Sequence, residues 1–268
     1  MITLTPLKVF EVPIQAPCIT PENFAGKSIT EIAKLPLTEG NRNVTLGDLF
    51  KIEETPSETP NITIKGDCSK VKRVGQGIKS GEILVEGNIG MHTGEKMAGG
   101  KIVVNGNTGG WTGSEMTNGT IEIHGDSGDY MASPYRGNDL GMKGGSIIVD
   151  GNVGTDVGCY LKGGVIKIKG SAGRFLGFHM SDGAIYVEKD CDVRAGALMN
   201  GGKIDVDWGQ PHPQRRPACQ LAYDLGRTND ALRRDAAYVE AVAAQEMPLD
   251  QRNLGAQPRS PYGRHQAG

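Results

Sequence analysis

The residue types able to hold metals or move protons are few in this chain, and they do not converge. The five histidines, His92, His124, His179, His212 and His265, neither repeat nor pair at metal-ligand spacing. Cys18, Cys68, Cys159, Cys191 and Cys219 are scattered, odd in number and never form a C-x-x-C pair. That pattern argues against a zinc or cluster motif and for free thiols in a reducing compartment. His124 falls at an outward position of a β-like stretch, where an exposed histidine is expected. Asp126 and Asp129 stand alone, without the repeated G-G-x-G-x-D of calcium-binding β-rolls. A catalytic site needs convergent titratable groups. The expectation is a chain with no catalytic, cofactor-binding or metal-binding residues of its own.

What remains is recognition, and a repeat decides where it is placed. An isoleucine returns at Ile83, Ile102, Ile121, Ile147, Ile166, Ile185 and Ile204, a period of 19 residues with one insertion of seven. Two residues on, Val85, Val104, Ile123, Val149, Ile168, Val187 and Val206 keep the same register. Gly87, Gly106, Gly125, Gly151 and Gly170 form a third column, which fails at Lys189 and Trp208. Alternating β-branched residues bounded by glycine corners read as strands, because period two puts both on one side. A coil this short cannot hold a helical repeat, so the pattern predicts a parallel β-helix. Crossover chirality makes it right-handed. The expected fold is all-β, with about seven to eight coils.

Other columns fit the same coil. Gly94, Gly113, Gly158, Gly177 and Gly196 mark one corner, with Ala132 as the exception. Met97, Met116, Met142, Leu161, Met180 and Met199 precede the closing corner. A methionine stripe can mark a soft-metal or promiscuous surface, but strict coil register makes it core packing. A phosphate-cradling role for the glycines is unsupported, since no strand-to-helix transition follows them.

Composition agrees. Forty glycines and five phenylalanines suit ladders in place of one central core. A net charge of −2 gives no reason to expect nucleic acid or an anionic membrane. No apolar run has the length of a transmembrane helix and no signal-peptide pattern opens the chain, so a cytoplasmic location is expected.

The flanks differ from the repeat. Residues 1–60 are expected to cap the solenoid, since an open end exposes unpaired backbone. Within them Thr20-Pro21-Glu22-Asn23 is a helix start. Ser28-Ile29-Thr30-Glu31 is a capping box for a helix to about Leu35. Leu46-Gly47-Asp48-Leu49-Phe50 reads as a turn into a short extended piece. Residues 61–208 hold the β-helix. Residues 209–268 form an atypical tail, expected to be helical near Cys219–Gln245 or poorly ordered. Eight of the 13 arginines lie beyond Val206 and none of the 16 lysines do, a shift resembling a frameshift, fusion or artefact.

Two places on this frame are candidates for partner binding. The inserted residues fall between Ala132 and Met142, and Tyr135 and Arg136 within them are types enriched at interface hot spots. An incidental surface loop is the alternative. Leu84, Val103 and Ile148 are aliphatic at outward positions of the main strands, an odd choice for free surface. Either the N-terminal cap or a partner subunit covers them.

The coil pattern resembles the C-terminal β-helix of the glutamate synthase large subunit. The flanks bring it closer to another family. Phe24 to Ile32, Leu46 to Phe50, Gly128-Asp129-Tyr130, Tyr135-Arg136-Gly137 and Gly141 to Gly145 resemble the C subunit of formylmethanofuran dehydrogenase. The likeness runs from about Pro13 to Val206 and is absent after Trp208. It implies a non-catalytic scaffold subunit in a complex that reduces carbon dioxide to formylmethanofuran, as in methanogenesis. Molybdopterin or tungstopterin, iron–sulfur clusters and a dinuclear metal site would then reside in partner subunits, one of them amidohydrolase-like. A bacterial formyltransferase/hydrolase complex without redox chemistry has a similar C subunit and is the alternative, with a glutamate-synthase-like module as a further one.

Overall fold

The computed structural model describes residues 1–56, 59 and 61–206. The tail reading, and with it Trp208, His212, Cys219 and His265, lies outside them. The elements in order are β1 (Ile2–Pro6), β2 (Ile14–Gln15), α1 (Pro21–Phe24), α2 (Ile29–Ala33), β3 (Pro36–Glu39), β4 (Arg42–Thr45), α3 (Leu46–Leu49) and β5 (Phe50–Glu54). Then follow β6 (Ile62–Lys65), β7 (Val71–Lys72), β8 (Glu82–Glu86), β9 (Ala98–Val104), β10 (Asn118–Ile123), β11 (Ser146–Val149), β12 (Lys162–Ile168), β13 (Asp182–Val187) and β14 (Lys203–Val206).

From β6 onward the long strands stack in parallel in the order β6-β8-β9-β10-β11-β12-β13-β14. The pairing is the isoleucine column made physical: Ile62 with Ile83, Ile83 with Ile102, Ile102 with Ile121, and on to Ile185 with Ile204. Ile121 meets Ile147 directly, so the seven extra residues leave the stack without disturbing register. The isoleucines from Ile62 to Ile185 and their partner column from Ile64 to Val187 are buried. Each such side chain contributes about 1.5–3 kcal/mol on burial. The result is a parallel β-solenoid of about eight turns.

A second ladder runs along the coil four residues beyond the strand column. Single parallel bridges link Cys68, Ile89, Thr108, Ser127, Val153, Ala172 and Cys191. Where this buried column is polar, the Thr108 hydroxyl donates to Ser127 Oγ at 2.9 Å, so neither is left unsatisfied.

The corner glycines are sterically required. At Gly94 (φ +67) a Cβ would stand 2.7 Å from Ile121 Cδ1. Ala132 holds the same left-handed conformation, φ +61, at its place in that column. Met97, Met116, Met142, Leu161 and Met180 are wholly buried and Met199 partly so, which places them in the core as register demanded.

The N-terminal residues extend the solenoid at its first end. β1 pairs in parallel with β6, and β5 then pairs antiparallel with β1. Lys51, Glu53 and Glu54 are exposed on β5, and charge on an edge strand discourages further pairing. β2, β3 and β4 form a second sheet on β7 of the first coil. α1 begins at Thr20, whose hydroxyl accepts from Asn23 N, and α2 begins at the Ser28–Glu31 capping box. α2 ends at Ala33. Leu46–Leu49 is a helical turn and not the simple turn expected, because Asp48 accepts from Thr45 N at 2.8 Å and caps it.

Cys18, Cys68 and Cys159 are free and buried. Cys191 is buried as well.

Candidate partner-binding surface

The site is built on left-handed corners. Arg73, His92, Trp111, Tyr130, Asp156, Phe175 and Arg194 occupy one corner column, all with φ between +57 and +66. Four residues on, Lys96, Glu115, Tyr160, His179 and Leu198 occupy a second, with φ between +52 and +57. Alternation of left-handed residues turns the chain, and it aims these side chains away from the core.

In the upper coils the corner side chains form a continuous stack. The His92 and Trp111 rings lie 5.4 Å apart at 10°, and Trp111 and Tyr130 lie 4.6 Å apart at 11°. At its top Arg73 pairs with buried Glu95 and donates from Nε to Gln15 Oε1 at 3.1 Å, tying β2 to the corner. His92 Nδ1 lies 3.3 Å from Glu95 Oε2. Burial raises the Glu95 pKa, but the His92 imidazole and Arg73 guanidinium outweigh it and hold the carboxyl below its ordinary value. In the lower coils Tyr160 and His179 stack at 4.8 Å, with Phe178 edge-on to Tyr160 at 6.2 Å.

The loop of residues 133–141, which contains the seven-residue insertion, separates the two stacks. Tyr135 folds back so that its ring is 6.0 Å from His92 and 6.3 Å from Trp111. The Ser133 hydroxyl accepts from Cys159 N at 3.0 Å and anchors the loop to the next coil. Between loop and stacks lies a cavity of about 560 Å³, lined by Trp111, Tyr130, Tyr135, Asp156, Tyr160 and Phe178. Arg136 and Asp139 line it from the loop. Tyr135 is 53% exposed.

Leu84, Val103 and Ile148 lie elsewhere. With Glu122 they form one row across β8 to β11, each directly paired to the next. They are half-buried, and Lys101 pairs with Glu122 across the row at 3.0 Å. The N-terminal strands join this sheet only at its end, through β1, while β2 pairs with β7 in the second sheet. The two candidate groups thus sit on different sides of the coil.

Sequence reasoning missed several partners. His124 is exposed as expected, but its Nδ1 lies 2.7 Å from Asp150 Oδ2, and Lys169 Nζ is 2.7 Å from the other oxygen of the same carboxyl. Asp126 and Asp129 are not idle: their Oδ1 atoms accept from Asn152 N at 2.6 Å and Thr155 N at 2.8 Å. Asp126 continues a ladder in which Asn88 accepts from Asn107 N at 2.9 Å and Asn107 from Asp126 N at 2.8 Å. The 19-residue spacing of these Asn and Asp positions was the available signal. Among the described residues no three His, Cys, Asp or Glu side chains converge as metal ligands. Nor is any helix there long and apolar enough to cross a membrane.

Parallel coils interrupted by one loop, with aromatic side chains stacked at their left-handed corners, define a parallel β-solenoid. No family model matches the chain. The C subunit of a tungsten-containing formylmethanofuran dehydrogenase 2 from Methanococcus maripaludis is 56% identical over 195 residues, 73% of this chain and 72% of that one. The chain belongs to the family of formylmethanofuran dehydrogenase C subunits. The protein of the same description from Methanothermobacter wolfeii is 47% identical, over 35% of this chain and 36% of its own. The C subunit of a molybdenum-containing formylmethanofuran dehydrogenase 1 from Methanosarcina barkeri is 38% identical over 34% and 31%. The matched stretch thus spans about a third of these last two relatives. Among solved structures, a chain of the formyltransferase/hydrolase complex (FhcABCD) from Methylorubrum extorquens, in complex with methylofuran, is similar. Its TM-score is 0.72 at 31% identity, covering 80% of this chain and 79% of that one.

Proposed function

We propose that this chain is a non-catalytic scaffold of a formylmethanofuran dehydrogenase, the complex that reduces carbon dioxide to formylmethanofuran. The observation that carries the reading is the match over nearly three-quarters of both chains to a C subunit of that enzyme. The relatives' names include tungsten and molybdenum, and a pterin metal centre would belong to the complex. The described residues of this chain supply no convergent ligand set for such a centre. On this reading molybdopterin or tungstopterin, iron–sulfur clusters and a dinuclear metal site belong to partner subunits, the last to an amidohydrolase-like one. Tyr135 and Arg136 on the loop, and Leu84, Val103 and Ile148 on the sheet, are the proposed contacts. A cytoplasmic location follows from the same reading, as does the division into an N-terminal cap (1–60), the solenoid (61–208) and a separate tail.

The similarity to a chain of the formyltransferase/hydrolase complex supports a second reading, the C subunit of a complex without redox chemistry. One experiment separates the two. The tagged chain is captured from its native cell extract, and the captured material is analysed by mass spectrometry and for metals. Molybdenum or tungsten together with iron and pterin-binding subunits supports the first reading. An amidohydrolase-like partner without those metals supports the second. A chain recovered alone overturns both.

A further inference from the structure

The cavity beneath the inserted loop has a lining that the coil does not demand. Left-handed backbone suits glycine and asparagine, and a bulky side chain there carries a strain of order 1 kcal/mol or more. Trp111 (φ +57), Tyr130 (φ +61) and Tyr160 (φ +52) occupy such positions, and all three line the cavity while remaining partly exposed. Their stacks recover about 0.5–1.5 kcal/mol each. Arg73, Phe175 and Arg194 hold the same left-handed corner in other coils, so the backbone leaves the residue type open and the rings beside the cavity are a local choice.

The carboxylates indicate that use. Asp139 lines the cavity from the loop and Asp156 from the coil below. Asp139 is exposed and has no ion pair among the described residues. Asp156 Oδ1 accepts a weak S–H bond from Cys159 at 3.7 Å. Ring faces carry negative quadrupole density, and with two carboxylates they form a site for a cation. Arg136 borders the same opening, so a net charge of one negative remains, and its guanidinium fork stands available for a carboxylate. A volume of about 560 Å³ exceeds one side chain and suits a short stretch of polypeptide.

We propose that this cavity receives a basic side chain, an arginine, carried by a segment of a partner subunit. Arginine is favoured over lysine because its planar fork stacks on rings and pairs with carboxylates at once. The proposal rests on the scaffold reading and deepens it by naming the chemistry of one contact.

The test uses the full chain carrying Trp208→Phe, which leaves Trp111 as the remaining one of two tryptophans. Its fluorescence is followed while the peptides acetyl-Gly-Arg-Gly-amide, acetyl-Gly-Glu-Gly-amide and guanidinium ion are added separately. A saturable response to the arginine peptide, weakened tenfold or more by Asp139→Asn with Asp156→Asn, is expected. An equal response to the glutamate peptide, or no effect of the paired substitution, overturns the proposal. So does a response to free guanidinium at equal affinity, which would mean a small cation and not a protein segment. Thermal unfolding of the variant verifies that it folds. A second arm compares capture of native partners. Loss on Tyr135→Ala with Arg136→Ala but not on the paired aspartate substitution keeps the loop contact and overturns the arginine. Retention in both variants overturns the loop contact as well.

Discussion

Met116 lies directly over the corner glycine of the next coil. A Cβ built on Gly145 would stand 2.6 Å from Met116 Cε and 2.6 Å from the Gly119 carbonyl oxygen. The same relation joins Met97 to Gly119 and Met142 to Gly164. The methionine ladder and the closing glycine corner are therefore one device: the thioether fills the space that the absent side chain leaves.

Gly145→Ala is expected to destabilise the fold by about 2–4 kcal/mol, from left-handed strain at φ +88 plus overpacking against Met116. Gly137 has the same φ, +88, with nothing within 4 Å of an added methyl, so Gly137→Ala should cost about 1 kcal/mol. Urea unfolding midpoints of the two variants check the difference. Equal losses would show that packing on the methionine does not matter.

Truncating the ladder itself should act through a cavity. Met116→Ala is expected to cost about 2–5 kcal/mol and Met116→Leu less than about 1.5 kcal/mol. Denaturant unfolding of both variants gives the comparison.

Acid should loosen the attachment of β2 to the first corner. The folded Glu95 carboxyl is held below its ordinary value, so its stabilisation is complete above the unfolded carboxylate pKa of about 4.3 and is lost as pH falls through the lower folded value. Glu95→Gln removes the carboxylate charge facing Arg73, whose Nε keeps its bond to Gln15, and should cost about 1–3 kcal/mol at pH 7. It should also flatten the acid limb of stability against pH. An unchanged acid limb in the variant would assign that limb to other carboxylates.

Removing residues 134–140 restores the 19-residue spacing between Ile121 and Ile147. The shortened chain should unfold within about 1 kcal/mol of the parent, since shortening a surface loop costs little entropy. Its capture of partner subunits should nonetheless be lost. Full capture by the shortened chain would remove the loop from the interface.

Burial pushes the Cys18 thiol up to about 11 and those of Cys68 and Cys159 up to about 12, with neighbouring Asp67 and Asp156 adding to the last two. These three thiols should resist an aromatic disulfide reagent at pH 8 and react together on unfolding. Mass mapping of the labelled cysteines decides it.

The solenoid was legible because identical side chains recur at identical places. Ile83 to Ile204 keep one residue type for seven copies, and strands stacked in parallel must set those positions side by side. The bridge column from Cys68 to Cys191 has the same spacing but changes type at each rung. Cysteine, isoleucine, threonine, serine and alanine all fit a small inward corner, so no residue pattern revealed it. The loop was legible as an interruption of the period, and the structure leaves its Tyr135 and Arg136 exposed.

The sequence by itself determined the coil, its register and the place where a loop must leave it, because a periodic backbone leaves those little freedom. Only the tertiary structure decided what the loop meets. Tyr135 folds back toward His92 and Trp111, and Asp156 joins Asp139 across 17 positions of sequence, through a corner geometry set by left-handed residues. Those contacts depend on side-chain directions at bulky residues in an uncommon backbone conformation. Residue type gives no sign of that conformation, so the cavity between the two aromatic stacks emerges only once the coils are stacked.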